Sequence, residues 1–77
     1  MPDTLVVESS SLAWLRYSDR TNALDVCFRN GGIYRFLEVP ADCYQELLAA
    51  RSKGKFFNQN IRNRFGYKLL ASFREIK

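Results

Sequence analysis

Histidine is absent from the 77 residues. The commonest acid–base side chain near neutral pH is therefore missing. Cysteine is scarce, with Cys27 and Cys43 alone. A disulfide-stapled scaffold of this size carries four or more cysteines, and a zinc site needs more Cys or His ligands. The expectation is two reduced, buried thiols, with no metal and no cofactor. Neither thiol has a histidine to activate it, and the carboxylates show no suggestive pairing, so an enzyme is the least supported class. No apolar run approaches ~20 residues, so no membrane-spanning helix is expected. Met1-Pro2-Asp3-Thr4 lacks the basic and apolar regions of a signal peptide, and a cytoplasmic location is the expectation. Acidic residues are the last scarcity. After residue 50 only Glu75 remains.

What is present starts with apolar residues, 47% of the chain, and aromatics, 14%, which exclude disorder. A chain this short buries only about 60% of its unfolded surface, so residues 1–77 are read as one small domain. The charge is split by position. Residues 1–50 carry four basic and seven acidic side chains, a balance of −3. Residues 51–77 carry eight basic side chains against Glu75, a balance of +7. A field that strong at one end usually has an anionic partner.

The pattern is β-rich first and helical later. Leu5–Glu8 reads as a short edge strand ended by Ser9-Ser10-Ser11. Leu12–Tyr17 alternates, with Ala13, Leu15 and Tyr17 opposite Leu12, Trp14 and Arg16. Ala23–Arg29 and Ile33–Leu37 flank a turn signal, Asn30-Gly31-Gly32. A three-residue loop groups Leu24, Val26, Phe28, Tyr34 and Phe36 on one apolar face, whereas a two-residue loop scatters them. Burial selects the first, because a one-residue slip flips every side chain. Pro40 and Asp42 suit the start of a helix whose stripe is Tyr44, Leu47 and Leu48. Ser52 is an N-cap for a second helix with the ridge Phe57, Ile61 and Phe65, closed by Gly66. Residues 68–73 alternate as a last strand. The fold class is α+β: an antiparallel sheet of three to five strands packed against two short helices.

Several of these segments together resemble the KTSC domain, named for the C-terminus of some lysyl-tRNA synthetases. They are Phe28-Arg29-Asn30-Gly31-Gly32-Ile33-Tyr34-Arg35-Phe36, Val39-Pro40 opening a helix, and Ser52-Lys53-Gly54-Lys55-Phe56-Phe57 with Ile61-Arg62. The resemblance covers about residues 9–68. The family's central Tyr-x-Tyr stands here as Tyr34-Arg35-Phe36, so the second hydroxyl is lost. The resemblance implies RNA as a partner.

The residues point the same way. Ser52-Lys53-Gly54-Lys55 places two lysines at a helix start, the wrong sign for the helix dipole. A bound phosphate on the free N–H groups removes that conflict, and Gly54 lets a ligand approach the backbone. Gln59, Arg62, Arg64 and Lys68, with Asn58 and Asn63, supply further phosphate and base-edge contacts. The competing reading is a serine cap beside a solvated basic surface. A secondary contact is the sheet face with Trp14, Arg16, Arg29 and Arg35, a stacking platform unless Trp14 is buried as tryptophans usually are. The expected function is a non-enzymatic nucleic-acid-binding module, with RNA or another polyanion as partner. The alternative is an adaptor that meets an acidic protein, anchored by Ile33, Leu37 and Trp14.

Overall fold

The structure is a computed structural model and describes residues 4–72. Five strands form one sheet: β1 (Thr4–Val6), β2 (Leu12–Ser18), β3 (Ala23–Phe28), β4 (Gly32–Phe36) and β5 (Tyr67–Ser72). They lie side by side in chain order, and each neighbouring pair is antiparallel. Between β4 and β5 the chain makes a helical hairpin, α1 (Ala41–Ala49) and α2 (Lys53–Asn60). Both helices pack on one face of the sheet. The α+β class and the two-helix count expected from the pattern are those observed.

The β3–β4 hairpin has the expected sides. Leu24 pairs with Phe36 and Val26 with Tyr34, which places the apolar set on the helix side. The loop is three residues long but sits one residue earlier than expected, over Arg29–Gly31. Gly31 takes the positive φ (106°) that the turn demands. This shift takes Arg29 off the sheet face.

Strand β2 departs from plain alternation. Leu12 pairs with Phe28, but Trp14 pairs with Cys27, so Ala13 is an extra residue. Such a bulge re-aims side chains. Leu12 thereby joins the helix side and is fully buried, rather than sharing a face with Trp14 and Arg16.

The core lies between sheet and helices. Leu12, Leu15, Leu24, Val26, Val39, Leu47, Phe57 and Ile61 are fully buried. Phe57 is the wedge that holds α2 down. Its ring meets Phe28 edge-on at 5.5 Å and Phe36 at 5.1 Å. Truncating such a ring costs about 3–5 kcal/mol, a large share of a small domain's stability. Tyr17 stacks on Tyr44 of α1 at 4.5 Å and donates its hydroxyl proton to the Val39 carbonyl at 2.7 Å.

Helix α1 begins after Pro40, which takes the N-cap position, and carries Asp42 in its first turn. Helix α2 is shorter than expected, ending at Asn60. Ile61 and Phe65 still pack inward, but from the irregular turn that follows. Gly66 is therefore not a helix cap. Its carbonyl accepts from the Leu37 N–H at 2.8 Å, which leads the chain into β5. Among the described residues no helix is long and apolar enough to cross a membrane.

Candidate nucleic-acid interface

Ser52 caps α2 as expected, its hydroxyl accepting from the Lys55 backbone N–H at 3.3 Å. Lys53 is half-buried and Lys55 exposed, and the first turn holds no acidic residue. Gly54 differs from expectation. A Cβ built there would lie 2.6 Å from the Ser11 hydroxyl oxygen and 3.1 Å from that of Ser9. The β1–β2 loop thus occupies the space that a ligand was expected to use. Glycine lets α2 sit against that loop without the Ser11 hydroxyl having to move.

Three depressions share residues; two lie between the α2 flank and this loop, and the third continues from them past the end of α2 towards β5. The first, about 450 Å³, lies between Leu5–Ser10 and Arg51–Lys53. The second, about 300 Å³, is lined by Ser10, Ser11, Phe28, Arg29, Asn30, Asn58 and Arg62. The third, about 200 Å³, is closed by Phe28, Tyr34, Phe36 and Tyr67, with Asn30, Arg62 and Asn63. Ser10 joins the first to the second, and Phe28, Asn30 and Arg62 join the second to the third. Among the described residues the track carries Arg29, Arg51, Lys53 and Arg62 against Glu8 alone. Arg29 is pinned within it. Its guanidinium donates to the Ser9 carbonyl at 2.5 Å and the Val7 carbonyl at 3.1 Å.

The remaining basic residues do not form one patch with these. Lys55 and Gln59 are exposed on α2 and line none of the three depressions. Arg64 lies over the Phe65 ring at 5.3 Å, on the side of Cys43 in α1. Lys68 pairs with Arg35 across β4 and β5, on the face of the sheet away from the helices.

That open face holds Trp14, Arg16 and Arg35, but not Arg29, because the chain has already turned at Phe28. Asp25 stands between the two arginines. Arg35 binds it through Nε at 2.8 Å and a second guanidinium nitrogen at 3.1 Å, and Arg16 adds a contact at 3.0 Å. The Asp25 residue is only 4% exposed although the face is open. Burial opposes its ionisation, but the hydrogen bonds and charges of Arg35 and Arg16 outweigh that and hold its pKa below the ordinary carboxylate value. The same bonds push the Arg35 pKa up. Trp14 is half-buried, with the Arg16 guanidinium 5.5 Å from its ring centre. The expected platform is therefore partly satisfied from within.

Both thiols are free and buried, and burial pushes each pKa up, so neither is poised as a nucleophile. Among the described residues no cluster of three or more metal-ligating side chains occurs.

The family model of the KTSC domain matches residues 8–65. The chain belongs to the KTSC domain family. The fold of this KTSC domain is close to that of a KTSC domain protein from Yersinia pestis, with a TM-score of 0.88 and 30% identity over 92% of this chain and all of that one. It is 42% identical over 55 residues to an uncharacterized protein of Stutzerimonas stutzeri, covering 71% of this chain and 78% of the other. It is also 34% identical over 64 residues to a lysine–tRNA ligase of Trichormus variabilis, covering 83% of this chain. The chain spans only 11% of that ligase's length.

Within this KTSC domain the Tyr34-Arg35-Phe36 segment is split by strand alternation. Arg35 faces Asp25, whereas Tyr34 and Phe36 face the helix side. Phe36 is core, but Tyr34 is only partly buried and lines the third depression. Phe36 is core as its side of the hairpin implies, Tyr34 packs against the core and also walls the depression, and Tyr67 is not among the expected site residues. The signal was present: Tyr67 and Leu69 alternate in phase with Phe36 and Tyr34 once β5 is paired with β4. Both are 57% exposed.

Proposed function

We propose that this KTSC domain is a non-enzymatic nucleic-acid-binding module whose preferred partner is RNA, with the strand backbone lying in the track beside α2. The carrying observation is the run of three connected depressions with four cations and one carboxylate. Backbone neutralisation of this kind supplies most of the non-specific affinity for nucleic acids. Ser52, Lys53 and Arg62 are the expected contacts that lie on the track, and Arg29 and Arg51 join them. The occurrence of the same domain in proteins named lysine–tRNA ligase is consistent with an RNA partner.

The test is fluorescence anisotropy with a short single-stranded RNA over a salt series. Binding should weaken steeply with salt, and replacing Arg51, Lys53 and Arg62 together by Ala should reduce the log–log slope by about 2, at about 0.7 per lost contact. Absence of any RNA or DNA binding at low salt overturns the proposal.

A second reading, a protein-interaction module, is favoured by β5. This edge strand exposes Leu69 (57%) and Leu70 (41%), and edge strands pair readily with other chains. Recovery of a nuclease-resistant protein complex that β5 substitutions abolish would support it.

A further inference from the structure

The third depression differs from the other two in kind. Four aromatic residues line it, and their rings already contact one another. Phe28 meets Tyr34 edge-on at 5.6 Å, Tyr34 meets Tyr67 edge-on at 5.5 Å, and Phe36 lies tilted to Tyr67 at 5.3 Å. Of these, Tyr67 is the one well exposed to solvent. Asn30, Asn63 and Arg62 complete the wall, and no carboxylate is among the described lining residues. The opening of about 200 Å³ falls below the roughly 300 Å³ at which pockets begin to enclose drug-sized ligands. It suits one small planar ring system rather than a whole nucleotide.

We propose that this depression seats a single unpaired nucleobase against Tyr34 and Tyr67, with Arg62 holding the adjoining phosphate. The proposal rests on the nucleic-acid reading above and names its ligand more closely. Base–aromatic stacking is available to every base, because each has a π-face. The Asn30 and Asn63 amides bring donors and acceptors suited to a base edge. Arg62 belongs to both this depression and the basic one beside it, so a strand whose phosphates follow the track arrives with its bases at the aromatic end. Paired bases are stacked inside a helix and cannot enter, so the substrate class is single-stranded nucleic acid.

The test compares two strands of equal length and charge on the full 77-residue chain. One is an octamer of RNA, the other the same octamer with abasic sites throughout. Wild type should bind the base-containing strand more tightly. Tyr67→Ala should weaken that strand roughly 5- to 150-fold, the size of one stacked base, and leave the abasic strand and the salt slope unchanged. Tyr67→Trp, which keeps a ring, should retain the preference and guards against a folding defect in the alanine variant. Equal binding of both strands by wild type, or an unchanged base preference in Tyr67→Ala, overturns the base seat but leaves the phosphate track standing. Failure of both strands to bind at low salt overturns both proposals. Occupation of the depression by a side chain of a partner protein, seen as Tyr67-dependent binding to that protein and none to RNA, overturns it as well.

Discussion

The two faces of the sheet carry cations of different availability. On the open face, Arg16 and Arg35 close on Asp25. On the helix side, Arg51, Lys53 and Arg62 line a track with Glu8 as the lone acidic residue among those described. Among the described residues every ion pair goes to Asp25. The lesson is that counting charges finds a basic end of the chain, whereas a binding surface depends on which charges are already satisfied. The half-buried arginines of the open face are tied to the fold through Asp25, and the cations beside α2 make no ion pair among the described residues.

The largest effect that separates the faces is loss of Asp25. Asp25→Ala should cost about 2–3 kcal/mol in chemical denaturation, because it leaves two arginines packed on the sheet without their acceptor. The wild-type contribution is also pH-dependent. The folded pKa lies below the unfolded one, so the stabilisation is fully present above about pH 4 and is lost as pH falls through the folded value. Thermal melts of Asp25→Asn should lack that part of the acid slope. An unchanged slope would mean that the open-face cluster is not structural.

A smaller effect is expected where α2 meets the β1–β2 loop. Gly54→Ala should cost about 1–2 kcal/mol, because overpacking against Ser11 and Ser9 outweighs the ~1 kcal/mol that alanine gains inside a helix. Adding Ser11→Gly should recover most of it in a double-mutant cycle. A stabilised Gly54→Ala protein would show that the loop does not close that space, and would restore Gly54 as a point of ligand approach.

The smallest effect bears directly on the comparison. Arg62→Ala should lower the salt slope of RNA binding by about 0.7, with stability within about 0.5 kcal/mol of wild type. Arg35→Ala should do the reverse, leaving the slope unchanged and lowering stability. Equal slopes for the two variants would erase the distinction between satisfied and free cations.

Much of the fold was legible. The apolar alternation in β2, β3 and β4, the Ser52 cap and the Pro40 start all lie within a few residues of where local chemistry places them. The hairpin sides followed from burial, since only one parity groups Leu24, Val26, Phe28, Tyr34 and Phe36. The Ala13 bulge was not legible, because it depends on how β2 meets Phe28 and Cys27 across the sheet. The early end of α2 was not legible either, because Ile61 and Phe65 keep helical spacing while packing from a turn. Of the candidate site, local patterning singles out the basic residues around α2, but not the aromatic wall. It needs β5 beside β4, a pairing of residues more than thirty positions apart.

The sequence by itself determined the elements, their order and the excess of positive charge after residue 50, because periodicity, capping and composition act over short stretches of chain. Only the tertiary structure decided which of the chain's positive charges are paired. Arg35 and Arg16 reach the same carboxylate because three strands bring them into one row, and Tyr67 meets Tyr34 because the last strand closes the sheet. Those are long-range pairings, set by burial of the whole core rather than by any local run of residues.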